Sequence, residues 1–122
     1  MRALIVDDSQ FTRRVLRGML KQAGFESDEA NNAASGLEIL RSEPLFDVAL
    51  VDCNMPGMSG LEMVKKIRAQ GFGGVKVVMV TCNCDSDGIL QALEAGADEY
   101  LMKPFDCESL RGKLALMGLE AA

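Results

Sequence analysis

Short apolar runs alternate with longer segments of helical periodicity along the whole chain. Each apolar run has the length of a buried strand, and most of them end at a polar or charged residue. The predicted strands cover residues 3–6, 25–30, 47–51, 75–80 and 98–102. The second run is the most polar, as an edge strand would be. After each run, apolar residues recur every three or four positions, which predicts an amphipathic helix behind every strand.

Several side chains mark where these helices begin and which face they bury. Ser9, Ser59 and Asp106 are the expected N-caps of the first, third and fifth helices. The second helix is expected over residues 32–42, and Gly96 is expected to end the fourth. In the first helix, the residues expected to face the core are Phe11, Val15, Met19 and Ala23, with Leu16 and Leu20 beside them. In the second helix they are Ala34, Leu37 and Leu40. In the third helix they are Leu61, Val64 and Ile67 or the stem of Arg68.

Five strands, each followed by a helix, define a (βα)5 chain. Apolar strands joined by right-handed helical crossovers form a parallel sheet with helices on both faces, which is the doubly wound α/β class. Elements of ordinary length account for the 122 residues. We therefore expect one domain over residues 1–122, with no output domain.

Composition excludes several classes of function. The net charge of -5 disfavours direct binding to nucleic acid, and no apolar stretch approaches the roughly 20 residues of a membrane span. The first apolar run stops at Asp7, so no signal peptide is expected. We therefore expect a cytoplasmic protein whose cysteines are reduced thiols. The chain has no histidine, which excludes catalytic triads, His-ligated zinc and a phosphohistidine carrier.

Polar residues whose side chains could take part in chemistry follow four of the predicted strands. They are Asp7 and Asp8 after the first strand, Asp52 after the third, Thr81 after the fourth and Lys103 after the fifth. Because the carboxyl ends of parallel strands meet at one edge of the sheet, these side chains are expected to converge. Three carboxylates that converge repel one another unless a cation such as Mg²⁺ lies between them. The alternative is that the three acids only cap helices and loops.

The motifs around these residues point to a known family. They are Leu4–Ser9, Val51–Gly60, Val80–Thr81, Gly96–Tyr100 and Lys103–Phe105. With these motifs at these spacings, the whole chain resembles the response-regulator receiver domain of two-component signalling, and most closely the stand-alone chemotaxis type. The resemblance implies a flavodoxin-like sheet with strand order 2-1-3-4-5.

The resemblance also implies a phosphorylation site. Asp52 would accept a phosphoryl group from the phosphohistidine of a sensor histidine kinase. Asp7 and Asp8 would hold Mg²⁺ (or Mn²⁺), with Asp52 and the backbone carbonyl of Asn54 completing the protein ligands.

Further roles follow from the same resemblance. Lys103 would pair with the phosphoryl oxygens, and its peptide bond to Pro104 is expected to be cis. Thr81 and Tyr100 would be the switch pair, which changes the face made by helix 4, strand 5 and helix 5. A downstream protein would bind to that face.

The leading hypothesis is thus a signalling switch rather than an enzyme, with chemotaxis as the pathway that the resemblance favours. A phosphorelay intermediate or a phosphate sink is the alternative within the same family. A phosphatase of the haloacid dehalogenase type is disfavoured because Asn54 stands where such an enzyme typically has its second acid. A flavodoxin-like electron carrier is disfavoured because Asp7 and Asp8 would repel the flavin phosphate.

Three residues beside the expected pocket are candidates for tuning its rates: Asn54, Cys82 and Asn83. Cys82 departs from the family, which most often has Ala or Gly after the switch threonine. We expect its sulfur to narrow the approach to the phosphorus, so that Cys82→Ala speeds both phosphorylation and loss of the phosphoryl group. The alternative is that Cys82 only packs in the core.

The first helix also carries a basic stripe, formed by Arg13, Arg17 and Lys21 at intervals of four residues. The stripe could be a solvated face or a docking surface for the phosphotransfer element of the kinase.

Overall fold

Helical crossovers join the five strands of one parallel sheet. The computed structural model describes residues 1–42, 46–71, 74–81 and 86–119. The elements are β1 Arg2–Val6, α1 Gln10–Gln22, β2 Glu26–Ala30, α2 Ala33–Ser42, β3 Val48–Asp52, α3 Gly60–Ala69, β4 Lys76–Thr81, α4 Ser86–Ala95, β5 Glu99–Met102 and α5 Cys107–Leu116. All strand pairs are parallel and the order is β2-β1-β3-β4-β5, which confirms the predicted doubly wound sheet.

Alternation along the central strands divides the core into two layers. In β1, Leu4 and Val6 pack against α2, α3 and α4, whereas Ala3 and Ile5 pack against α1 and α5. These four side chains have no exposed surface. Because successive side chains of a strand point to opposite faces, a strand that is apolar at every position has to be covered by helices on both sides.

The predicted N-caps are confirmed. The hydroxyl of Ser9 accepts a hydrogen bond from the Thr12 N–H, and the hydroxyl of Ser59 accepts one from the Glu62 N–H. The Asp106 carboxylate accepts one from the Ser109 N–H at 2.7 Å. Each cap therefore satisfies a backbone donor at its helix N-terminus.

The expected inward face of α1 is wrong at its first member. Phe11 is 77% exposed, while Leu16 and Leu20 are buried. Residues spaced by four turn about 40° further around a helix of 3.6 residues per turn at each step. The series that begins at Phe11 reaches the core only at its later members.

Two further helices confirm most of their predicted core residues but not the first one. In α2, Ala34 is exposed and Ala33 is buried with Leu37 and Leu40. In α3, Leu61 is half-buried and Met63 is fully buried. Leu37, Leu40, Val64 and Ile67 are buried as predicted, so only the first predicted residue of each helix is wrong, and a nearby residue occupies its place in the core.

Candidate functional site

Three carboxylates converge where β1 and β3 end. Oxygen atoms of Asp7, Asp8 and Asp52 all lie within 4.8 Å of one another. Asp7 is 2% exposed and Asp52 is 6% exposed, whereas Asp8 faces solvent. The edge of the sheet therefore carries a negative cluster that is closed on the protein side and open on the other.

Asp7 is fixed by its backbone as well as by its side chain. Its N–H donates to the carbonyl of Ala30 at 3.1 Å, which continues the β1–β2 pairing by one residue. Its Oδ1 accepts from the Ser9 N–H at 2.8 Å, and its carbonyl accepts from Nη1 of Arg13 at 2.6 Å. Its Oδ2 is buried without a hydrogen-bond partner among the described residues, and Lys103 Nζ lies 3.6 Å from it.

Asp52 is the last residue of β3 and lies beside the same lysine. Its Oδ1 is 3.5 Å from Lys103 Nζ and accepts a long hydrogen bond of 3.4 Å from the Asn54 N–H. Burial raises the pKa of Asp52, and the charges of Asp7 and Asp8 raise it further, against the opposing effects of Lys103 and the Asn54 N–H. Lys103 and the Asn54 N–H therefore do not fully compensate the negative charge of ionised Asp52.

The donor set of this cluster fits a hard divalent cation. A buried carboxylate oxygen without a hydrogen-bond partner is costly unless a ligand satisfies it, and Asp7 Oδ2 is such an atom. Mg²⁺ prefers carboxylate and carbonyl oxygens and keeps several waters, and one side of the cluster is open to solvent.

The start of α3 approaches the backbone of Asp52 closely. A Cβ atom at Gly60 would lie 2.2 Å from the carbonyl oxygen of Asp52. The Gly60 N–H donates to the carbonyl of Cys53 at 3.3 Å. A residue without a side chain is therefore required here for the end of β3 and the start of α3 to pack together.

Lys103 is held by its backbone next to Thr81. The Lys103 N–H donates to the carbonyl of Thr81 at 2.8 Å, so the ends of β4 and β5 stay paired. The Lys103–Pro104 peptide bond is cis. The Lys103 side chain is 29% exposed and reaches both Asp7 and Asp52.

Thr81 and Tyr100 line one cavity of about 270 Å³. Thr81 is buried, and its hydroxyl lies 3.5 Å from the Cys53 thiol. Met79 and Ala92 line the same cavity from β4 and α4. The two residues of the expected switch pair therefore border the same cavity.

Several contacts of the site were not anticipated from the sequence. Among them are those of Arg13 with Asp7, of Cys53 with Thr81 and of Lys113 with the Tyr100 ring. The position of Cys53 directly after Asp52 in the sequence is a signal for the contact between Cys53 and Thr81. No sequence pattern indicates the contacts of Arg13 and Lys113. Cys82 and Asn83 lie outside the described residues. The predicted effect of Cys82→Ala therefore stays a prediction.

Comparisons with known proteins agree with the fold. The chain matches the response regulator receiver domain family over residues 3–115. It is 36% identical over 116 residues to the chemotaxis protein CheY-3 of Vibrio cholerae, covering 93% of this chain and 88% of that protein. It is also 41% identical over 114 residues to a cyclic di-GMP phosphodiesterase of Thermotoga maritima, covering 93% of this chain and 30% of that protein.

A solved structure shows the same architecture. The chemotaxis protein CheY4 of Vibrio cholerae superposes with a TM-score of 0.88 at 32% identity, covering 94% of this chain and 96% of that chain. The chain belongs to the response regulator receiver domain family. Among the described residues, no helix is long and apolar enough to cross a membrane.

Proposed function

We propose that this protein is a phosphorylation-dependent switch of two-component signalling, in which Asp52 accepts a phosphoryl group from the phosphohistidine of a sensor histidine kinase. The observation that carries the proposal is the convergence of Asp7, Asp8 and Asp52 with Lys103 at one edge of the sheet. Membership of the receiver family supports it.

The site suits an in-line transfer with little covalent work from the protein. A carboxylate oxygen of Asp52 forms a bond to phosphorus as the bond from phosphorus to the histidine nitrogen breaks, and the electron pair leaves with the imidazole. Lys103 supplies positive charge beside the nucleophile, since its Nζ lies 3.5 Å from Asp52 Oδ1. Thr81 can supply a hydroxyl donor from the end of β4.

The acidic residues would bind a divalent cation as the second source of positive charge. Asp7, Asp8 and Asp52, with the backbone carbonyl of Asn54, would hold Mg²⁺ or Mn²⁺, which neutralises charge on the phosphoryl oxygens when bound. The buried Asp7 Oδ2 supports this assignment.

The output of the switch is a change of the surface formed by α4, β5 and α5. An acyl phosphate carries nearly two negative charges where the Asp52 carboxylate carried one, which would draw the Thr81 hydroxyl toward it and away from Cys53. Tyr100 lines the cavity behind Thr81 and can respond to that movement. On α4, Leu90 and Leu93 are 54% and 40% exposed, so this surface offers apolar contacts to a downstream protein.

The names of the relatives favour a chemotaxis pathway, since CheY-3 of Vibrio cholerae is a chemotaxis protein that this chain matches over most of its length. A phosphorelay intermediate or a phosphate sink would use the same site. Rapid phosphatase turnover is disfavoured because Asn54, which follows Asp52 by two residues, offers no carboxylic acid to protonate a leaving group.

The test is self-phosphorylation from acetyl phosphate, followed by intact mass. We expect one phosphoryl adduct in the presence of Mg²⁺, none in its absence and none in Asp52→Asn. Asp106→Asn is the matched control, because asparagine preserves the cap of α5 and leaves the site untouched. An undiminished adduct in Asp52→Asn would remove the central claim.

A further inference from the structure

Arg13 does not belong to a solvated basic stripe. Its side chain is 15% exposed, and its guanidinium group lies between the acidic loop and β2. Nη1 donates to the Asp7 carbonyl at 2.6 Å, and Nε donates to Glu29 Oε1 at 3.2 Å. Arg17, one turn later on α1, also pairs with Glu29 at 3.1 Å, but its side chain is 64% exposed and no described contact joins it to Asp7.

The contact with Arg13 completes the fixation of Asp7. The carbonyl of Asp7 lies beyond the last residue of β1, where the strand ladder has ended. Arg13 binds that carbonyl while Ala30 binds the Asp7 N–H, so hydrogen bonds hold the peptide groups on both sides of Asp7. The peptide bond that Arg13 holds joins Asp7 to Asp8, and its orientation determines how the two carboxylates converge.

An arginine is suited to this contact in a way that lysine is not. The planar guanidinium group presents several N–H donors in a rigid fork, so one side chain can bind two acceptors in fixed directions. Here the acceptors are the Asp7 carbonyl and Glu29. An ammonium group could pair with Glu29 or with the carbonyl, but it would not fix both.

We propose that Arg13 is a positioning residue for the divalent cation, acting through the Asp7 carbonyl. The proposal rests on the proposed function, since it assumes that the acidic cluster binds Mg²⁺. A partner of a metal ligand typically changes metal affinity by about 10- to 100-fold when it is removed.

The sign of the effect distinguishes positioning from simple electrostatics. Arg13 carries a positive charge near the cluster, so if it acted only as a charge, its removal would tighten the binding of a cation. If it positions the loop, its removal weakens binding, because the carboxylates no longer converge on one point. The two mechanisms predict opposite changes.

The experiment measures Mg²⁺ affinity of the unphosphorylated protein by calorimetric titration, with circular dichroism to verify the fold. We expect Arg13→Ala to weaken Mg²⁺ binding by about tenfold or more, and Arg13→Lys to weaken it to an intermediate extent. Arg17→Ala is the matched control. Like Arg13→Ala, it removes one positive charge and one arginine partner of Glu29, and we expect its affinity to stay within about twofold of the parent.

Two results would overturn the inference. One is an Arg13→Ala variant that binds Mg²⁺ as tightly as the parent or more tightly, and the other is an equal loss in Arg17→Ala. If Arg13→Ala does not fold, Arg13→Lys decides by the same comparison with the parent. If the parent itself binds no Mg²⁺, both the proposed function and this inference are wrong, whereas a parent that binds normally isolates the role of Arg13.

Discussion

The ammonium group of Lys113 lies over the ring of Tyr100, 4.2 Å from its centre. The same group is 3.1 Å from Glu99 Oε1, and the Tyr100 N–H donates to that carboxylate oxygen at 3.2 Å. Lys113 is on α5 and Tyr100 is on β5. The observed orientation of the ring is therefore held by a contact between two elements of the proposed output surface.

Lys113→Met should loosen that ring. A contact between a cation and an aromatic face at a partly exposed site contributes about 0.5–1 kcal/mol, so its loss should raise the population of other Tyr100 rotamers by about two- to fivefold. The chain has one tyrosine and no tryptophan, so tyrosine emission and the tyrosine ring resonances report on this residue alone.

Lys113→Arg is the conservative control, because a guanidinium group can stack on the ring and pair with Glu99. Lys66→Met, on α3, removes an exposed lysine that has no described contact with the ring. The interpretation fails if the ring signals of Lys113→Met equal those of the parent, or if Lys66→Met changes them as much.

Asp52→Asn should stabilise the protein in the absence of divalent cations at pH 7. Burial and the charge of Asp7 raise the folded-state pKa of Asp52 above its ordinary value of 3.8, so the ionised carboxylate opposes folding. Asparagine keeps an oxygen acceptor and removes the charge. We expect a gain of about 1 kcal/mol, the usual size of a single-residue effect.

The same shift fixes the pH dependence. The loss of stability caused by ionised Asp52 is absent at a pH where this residue is protonated in both the folded and the unfolded state. The loss appears as pH rises through the pKa of Asp52 in the unfolded state and is complete above its pKa in the folded state. The difference in melting temperature between Asp52→Asn and the parent should therefore shrink as pH is lowered toward 4. Thermal melts with a chelator present measure it, and a variant less stable than the parent at pH 7 contradicts the reasoning.

The sequence predicts the converging residues better than their individual contacts. Asp7, Asp52 and Lys103 each follow a strand, and all strands of a parallel sheet end at the same edge, so the strand pattern predicts that the three residues lie along one edge. The contacts of Arg13 and Lys113 depend on how far each helix is rotated and on which of several long rotamers is adopted. The misplaced Phe11 shows that this rotation is not determined by a spacing of four residues.

Asp8→Ala should weaken Mg²⁺ binding without unfolding the protein. Asp8 faces solvent, so its removal leaves no cavity, but it takes away one of the three carboxylates of the cluster. We expect affinity to fall by about tenfold or more, and stability without metal to remain equal or rise, because repulsion among the carboxylates decreases. Glu38→Ala, at an exposed position of α2, is the control for loss of one negative charge. An equal loss of affinity in both variants would show that net charge is responsible, and Asp8 would then not be a ligand.

Two Gly→Ala substitutions should have opposite effects on stability. At Gly60 a Cβ atom would meet the Asp52 carbonyl at 2.2 Å, so the end of β3 or the start of α3 has to move. Such overpacking typically costs about 1–3 kcal/mol, and because it displaces Asp52 it should also slow phosphorylation from acetyl phosphate. At Gly112, in the interior of α5, a Cβ atom would meet nothing within 4 Å, so Gly112→Ala should stabilise the protein by about 0.5–1 kcal/mol and leave phosphorylation unchanged. Chemical denaturation measures both changes, and a Gly60→Ala variant with parental stability and rate would show that the backbone at Asp52 tolerates a side chain there.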